Sequence, residues 1–254
     1  WFGYGEIDPP LVNTKAAISM KREWTNAIRS ILDNYVPRRW RNASWFMRPL
    51  FFLAYRGRNI HSAMHFKTLV KTWTPDELTA YYQQLNSISR NRKTDNSQKT
   101  IEKILAIALA SKGPILDAGC GTGYLLSLIS DQNKTASLYG CDIAAVGHQH
   151  KAFAFEQCDL AALPYPDKFF DLVISTHTIE HILPLEKAIS ELKRVCRNTL
   201  VLVTPRQQYF YYTLDEHVNF FEKETDLTEK LLLANYDCSV VDGDWFYIGY
   251  LGQR

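Results

Sequence analysis

Residues 115–125 read ILDAGCGTGYL. Ile115 to Ala118 have the composition of a short buried strand. Gly119, Gly121 and Gly123 follow at once, and an apolar stretch with helical spacing begins at Tyr124. A strand that turns through glycines into a helix is a ligand-binding turn of parallel α/β sheets, because glycine permits a tight turn and puts no Cβ between backbone and ligand. The spacing is G-x-G-x-G. A dinucleotide fingerprint would need its third glycine at position 124, which is Tyr124. Asp117 stands two residues before the first glycine. A carboxylate there repels a diphosphate and attracts a ligand carrying an amino group and a sulfonium.

Around this turn the pattern is that of β-α-β units. The sequence predicts a helix over Ser97 to Ser111, ending at Gly113. Strands are predicted at Ile115 to Ala118, Leu138 to Asp142, Ala152 to Gln157, Phe170 to Ser175 and Leu200 to Val203, with a helix from Leu185 to Cys196. A helix near Thr225 to Ala234 precedes Asp237 to Val241 and Trp245 to Leu251. These flank Asp242-Gly243-Asp244, the signal of a hairpin. The expected fold is α/β: a Rossmann-like, seven-stranded, mostly parallel sheet closed by a C-terminal antiparallel hairpin, with a helical N-terminal extension. The texture changes near residue 95, so residues 1–95 are read as a basic, aromatic-rich extension or lid and 96–254 as the ligand-binding domain.

Two further runs follow in register. In YGCDIA from Tyr139, Asp142 closes the second strand, where an acid can accept both hydroxyls of a ribose. In QCDLAALPYPDKFFDLVIS, Asp159 and Leu160 follow the third strand. With the glycine loop, these runs resemble the class I S-adenosylmethionine-dependent methyltransferases, in particular the broad type 11 group that includes the ubiquinone-biosynthesis O-methyltransferases. The resemblance extends from about Asn96 to Leu251. It implies S-adenosylmethionine as cofactor, with Asp117, Gly119, Cys120, Gly121 and Gly123 beneath it and Asp142 and Ile143 at its ribose. Asp159 and Leu160 would stand at its adenine, Thr176 at the end of the fourth strand, and Lys99 at its carboxylate.

STHTIEHI, from Ser175, holds His177, Glu180 and His181 in the order H-x-x-E-H, a spacing by which some peptidases bind zinc. On a helix His177 and His181 would share a face, and Glu216 or His217 of the later DEHVNFF run would supply a third ligand. The cofactor pattern argues against that reading, and no metal is expected. In the methyltransferase reading this run crosses under the sulfonium. His181, His217 and His177 are then the candidates for a base that takes the proton of an acceptor hydroxyl, since imidazole titrates near neutrality.

The formal net charge of +2 conceals an asymmetry. Residues 1–73 carry twelve Lys or Arg against four Asp or Glu, a surplus of eight positive charges, while the remainder is six in deficit. RRWRNASWFMRPLFFLAYRGR, from Arg38, interleaves six arginines with large aromatics. A lid packed on the domain, an anionic membrane surface docked through residues 38–58, and an arginine-lined pocket for an anionic acceptor are the competing readings. No RNA-binding module is recognisable and nucleic acid ranks below these. Five cysteines without a C-x-x-C pair suit reduced thiols and a cytoplasmic setting, peripheral to a membrane if residues 38–58 dock on one. No signal-peptide pattern stands at the start, which is Trp1 rather than Met.

The activity expected is methyl transfer, more readily to oxygen, on a small-molecule, glycan or lipid-linked acceptor. A non-catalytic S-adenosylmethionine-binding module and a zinc hydrolase are the alternatives.

Overall fold

The computed structural model describes residues 22–84, 93–144 and 152–252. Residues 1–21 and 85–92 of the extension read over 1–95 lie outside these residues. The N-terminal part is helical: α1 (Arg22–Asn34), α2 (Arg38–Arg41), α3 (Ser44–Ala54), α4 (Ile60–Met64), α5 (Phe66–Leu69) and α6 (Pro75–Gln84). Residues 38–69 form four short helices, and Arg56, Gly57 and Asn59 take positive φ where the chain turns between α3 and α4. At the start of α6 the Glu77 carboxylate accepts the Thr74 N–H at 2.7 Å and the Thr74 hydroxyl accepts the Glu77 N–H at 3.3 Å. This reciprocal pair satisfies two donors that a helix start leaves open.

Then follow α7 (Gln98–Ala110), β1 (Ile115–Ala118), α8 (Tyr124–Gln132), β2 (Leu138–Asp142), β3 (Ala154–Gln157), β4 (Phe170–Thr176), α9 (Leu185–Val195), β5 (Cys196–Pro205), α10 (Glu224–Leu231), β6 (Tyr236–Val241) and β7 (Asp244–Tyr250). The sheet order is β3-β2-β1-β4-β5-β7-β6. Strands β1 to β5 pair in parallel, and β7 enters antiparallel between β5 and β6. The expected fold class is therefore the one observed. All four residues of β1 are buried, as a strand covered on both faces requires. On one face α9 and α10 supply Ile189, Leu192, Leu227 and Leu231, and on the other α7 and α8 supply Ile104, Ala108, Leu126 and Ile129. Strand β5 is longer than its apolar run, since it starts at Cys196 directly after α9 and carries Arg197 and Asn198 at its exposed beginning.

The register aligns Asp117 with Gly140 on β2 and with Ile174 on β4. The carboxyl ends of β1, β2 and β4 thus finish together at the point where strand order reverses, which is where open α/β sheets bind ligands. The N-terminal helices close over this edge by packing on the segment that follows β5. Met47, Phe51 and Tyr55 cluster with Tyr212, and Val218 packs against Phe66, Val70 and Tyr81. Among the described residues no helix is long and apolar enough to cross a membrane.

Candidate functional site

A cavity of about 1200 Å³ opens at the carboxyl ends of β1, β2 and β4. Its floor is the glycine loop. At Gly119 φ is +80° and a Cβ would overlap the Thr178 side chain, so glycine is what lets the run after β4 cross the loop. At Gly121 φ is +52° and a Cβ would meet no atom within 4 Å, which leaves bare backbone facing the cavity. Asp142 is held by its neighbours: Oδ2 accepts the Gly121 N–H at 2.9 Å and Oδ1 accepts the Ala144 N–H at 3.0 Å. Each carboxylate oxygen keeps a further lone pair for a ligand hydroxyl.

Asp117 is 2% exposed, and its Oδ1 has no hydrogen-bond partner among the described residues. Burial, reinforced by the charge of Asp142, pushes its carboxyl up to about 7. Asp159 Oδ1 accepts the Ala161 N–H at 2.8 Å, and Leu160, Ile143 and Cys120 complete this end of the wall. Thr176 lies on the wall with its hydroxyl accepting from Asn96 Nδ2 at 3.0 Å.

Two of the residues expected at the cofactor are placed elsewhere. Lys99 lies outside the cavity wall, with its exposed ammonium 3.3 Å from Asp242 in the β6–β7 turn, because the first turn of α7 approaches the hairpin and not the loop. Gly123 is the residue before α8, with φ +74°; a Cβ there would overlap the Phe153 ring, so its role is the turn into the helix.

The histidines form the opposite end. STHTIEHI is not the helix that would align His177 with His181. It is a single 3-10 turn, Ile179–His181, entered through His177 at φ +51°. His177 instead lies between two carboxylates, its Nδ1 3.7 Å from Glu180 Oε1 and its Nε2 3.5 Å from Asp244 Oδ2. Burial alone would lower its pKa, but Glu180 and Asp244 outweigh that and raise it.

His181 meets His217 instead, ring centroids 4.8 Å apart. His181 Nδ1 donates to the Glu216 carbonyl at 3.0 Å, and His217 Nδ1 donates to Gln207 Oε1 at 2.6 Å. Gln207 is oriented by its own Nε2, 3.3 Å from Asp215 Oδ2. Burial holds the His217 imidazole down at about 4, against the raising effect of Asp215. Glu180 is 1% exposed; Oε2 accepts the Thr204 hydroxyl at 3.2 Å, while Oε1 has no hydrogen-bond partner among the described residues. Burial would raise its carboxyl, yet the surrounding imidazoles, His177 first, hold it at about 2.

Gln207, Asp215, Thr204 and Asp244 had no sequence signal. Thr204 and Asp244 reach the histidines through the pairing of β4, β5 and β7, and Gln207 and Asp215 through the segment that follows β5. The N-terminal helices and their connections add an apolar stretch of wall, Ile28, Leu32, Leu50, Ala54, Val70 and Leu78, with Leu53 at an exposed rim, and Arg29, Arg41, Lys93 and Asp95 are charged residues of the same wall. Arg41, one of the six arginines of the 38–58 stretch, is 1% exposed and lies on the cavity wall.

Residues 116–203 match the family model described as a methyltransferase domain. A Mycolicibacterium smegmatis protein named as an S-adenosylmethionine-dependent methyltransferase is 31% identical over 132 residues, which are 48% of this chain and 51% of that protein. The chain spans about half the length of the curated relatives it matches. Among solved structures, a chain of the complex between the Haloferax volcanii Trm112 methyltransferase activator and a methyltransferase superposes with a TM-score of 0.53 at 16% identity, covering 72% of this chain and 99% of that one. The magnesium protoporphyrin IX methyltransferase of Synechocystis, with bound SAH, gives 0.50 at 19% identity, covering 70% and 98%. At these identities the structural likeness is one of fold: the Rossmann-like sheet with its antiparallel closing strands.

Proposed function

We propose that this chain is an S-adenosylmethionine-dependent methyltransferase that acts on an oxygen of a lipid-linked acceptor. The observation that carries the reading is the continuity of one cavity from a three-carboxylate cradle, Asp117, Asp142 and Asp159, to the histidine end at His181 and His217. Acids at a bare glycine loop suit a cofactor that is cationic at one end and carries ribose hydroxyls and an adenine amino group at the other. Asp142 would hold the ribose, Asp159 the adenine amino group, Leu160 and Ile143 the ring, and Asp117 the cationic end. The cofactor supplies a methyl group already activated on sulfur; the protein's task is alignment, which in well-oriented systems reaches effective molarities of about 10⁵ M or more.

Calorimetric titration with S-adenosylmethionine tests the cradle, and pH makes the test specific. A carboxyl near 7 in the free protein must ionise to pair with an ammonium or sulfonium. Affinity is therefore expected to rise by up to about tenfold per pH unit below pH 7, with proton release, and to level off above it. In Asp117→Asn that slope should vanish. A pH-independent affinity in the unsubstituted protein would remove Asp117 from the cationic end. Binding without methyl transfer to any component of lipid, glycan or metabolite extracts would leave a non-catalytic module.

The lipid-linked acceptor is supported by the rim. Trp45, Phe52 and Leu53 are 66%, 57% and 71% exposed and line one surface depression that meets the cavity wall at Leu53, and Arg48, Arg56 and Arg58 lie on the same segment. Aromatic and basic side chains together favour an anionic headgroup layer, each basic residue contributing on the order of 1 kcal/mol. Cosedimentation with phosphatidylglycerol-containing vesicles should fall at least about tenfold in a Trp45→Ser, Phe52→Ser, Leu53→Ser variant, given about 1.5–3 kcal/mol for each large apolar side chain buried. Equal partitioning of the variant would reject the membrane surface and return the acceptor to a small molecule or glycan.

A further inference from the structure

Glu180, His181 and His217 each bring one potential ligand atom within 4.8 Å of the others on the cavity wall. We infer that this trio is a site for a divalent first-row transition cation, whose open position takes the acceptor oxygen. The inference deepens the methyltransferase reading and rests on it for the identity of that oxygen.

The hydrogen bonds around the two imidazoles prepare them as ligands. In both rings Nδ1 faces a carbonyl oxygen, Glu216 O for His181 and Gln207 Oε1 for His217, so Nδ1 carries the proton and Nε2 carries the lone pair. The Gln207 amide has only one orientation open to it, because its nitrogen donates to Asp215. Ligating histidines are held in this way, by a carbonyl or carboxylate on the far nitrogen. His217 Nε2 points toward Glu180, 4.0 Å from Oε1.

Glu180 Oε1 is the second, independent observation. It belongs to a side chain that is 1% exposed, has no hydrogen-bond partner among the described residues, and is turned into the cluster. An ionised carboxylate oxygen left without a donor in a buried place is costly unless something positive meets it. His177 offers partial compensation at 3.7 Å, beyond hydrogen-bond length. Two imidazoles and one carboxylate with an open side are a donor set suited to first-row transition cations. Bonds of about 2.0–2.1 Å to such an ion require the ligand atoms to close from the observed spacing to about 3.4 Å. His181 is half-buried, which leaves it room to do so.

The inference reassigns the histidines. An imidazole whose Nε2 lone pair is on a metal cannot serve as a base. The cation would instead lower the pKa of the bound acceptor hydroxyl, whose proton passes to solvent water. His177, placed between Glu180 and Asp244, then acts as a positioning residue for Glu180.

The test is Co²⁺ titration of EDTA-treated protein, followed by visible d–d absorption and calorimetry. One equivalent is expected to bind. Gln207→Ala should weaken it by about 10–100-fold, the cost of losing an outer-shell partner, and His181→Ala and His217→Ala should weaken it more. Glu180→Gln is expected to do the same; because that side chain is buried, the half-buried His181 provides the variant that keeps its fold. Absence of saturable Co²⁺ uptake, or uptake unchanged in His181→Ala and His217→Ala, would overturn the site. S-adenosylhomocysteine is titrated into the same metal-free samples. Its binding without any Co²⁺ binding rejects the cation alone, whereas Co²⁺ binding without it rejects the methyltransferase reading and leaves a metal site.

Discussion

Asp142→Ala should lower the affinity for S-adenosylmethionine by about 100-fold or more while leaving the protein folded. The carboxylate accepts the N–H groups of Gly121 and Ala144, so it sets the shape of the loop as well as offering lone pairs to a ribose. Two hydrogen bonds to a charged acceptor contribute about 1.5–3 kcal/mol each, and 1.4 kcal/mol is a factor of ten in affinity. Asp142→Asn keeps one oxygen for a backbone N–H but loses the charge and half the acceptor capacity, so a smaller loss, about tenfold, is expected. The side chain is only half-buried, and thermal unfolding should move little. Calorimetry on the three proteins gives the order directly. An affinity unchanged in Asp142→Ala would put the ribose somewhere else and leave the acid as a loop fastener.

The strands at Ile115–Ala118 and Leu138–Asp142 were legible to the residue because each is an apolar run ended by its own turn chemistry, glycine after Ala118 and an acid at Asp142. The hairpin was legible for the same reason: Asp242 and Gly243 take φ of +47° and +92°, which residues of those types tolerate. β5 was read short because its first residues are polar, and what makes them strand is pairing with β4 and β7, which no local pattern records. That Asp117, Asp142 and Asp159 stand together at the glycine loop was legible because each lies near the end of its own strand or just after it. Lys99 was misplaced because sequence distance from the loop says nothing about which side of α7 faces the cavity.

The histidine end shows where one-dimensional reasoning stops. H-x-x-E-H suggests two histidines on one helical face, but the chain leaves β4 through a left-handed residue and a single 3-10 turn. His177 then points to β7, and His181 finds a partner thirty-six residues later. The motif's residue types were informative, and its spacing was misleading. What decides the chemistry is which lone pair each ring presents, and that depends on Gln207 and on the Glu216 carbonyl, neither of which a motif contains.

Arg41 provides the other large expected effect. In sequence it is one of six arginines in an aromatic stretch; in the fold its guanidinium is enclosed. Nε is 3.2 Å from Asp33 Oδ1, Nη1 donates to the Tyr212 carbonyl, and the group stacks over the Phe210 ring at 4.7 Å. It joins α1 to the segment after β5 and so holds the helical cover on the cavity. Burial lowers the pKa of Arg41 and raises that of Asp33, so for each partner desolvation outweighs the attraction between them. The pair is then a lock more than a source of net stability, and its two halves should not be additive. Arg41→Met is expected to cost about 3–5 kcal/mol, because it leaves the Asp33 carboxyl buried without its cation. Arg41→Met with Asp33→Leu should recover most of that loss. The opening should be local. Hydrogen exchange should speed up in α1 to α3 and in residues 209–214 while β1, β4 and β5 stay protected, and S-adenosylmethionine should still bind, since the cradle proposed for it lies at the strand ends of the sheet. Urea unfolding of the single and double variants supplies the energies. If Arg41→Met is as stable as the unsubstituted chain, or if the double variant is no better than the single, the guanidinium is not the fastening of the cover. The cover would then be held by the apolar cluster of Met47, Phe51, Tyr55 and Tyr212 alone.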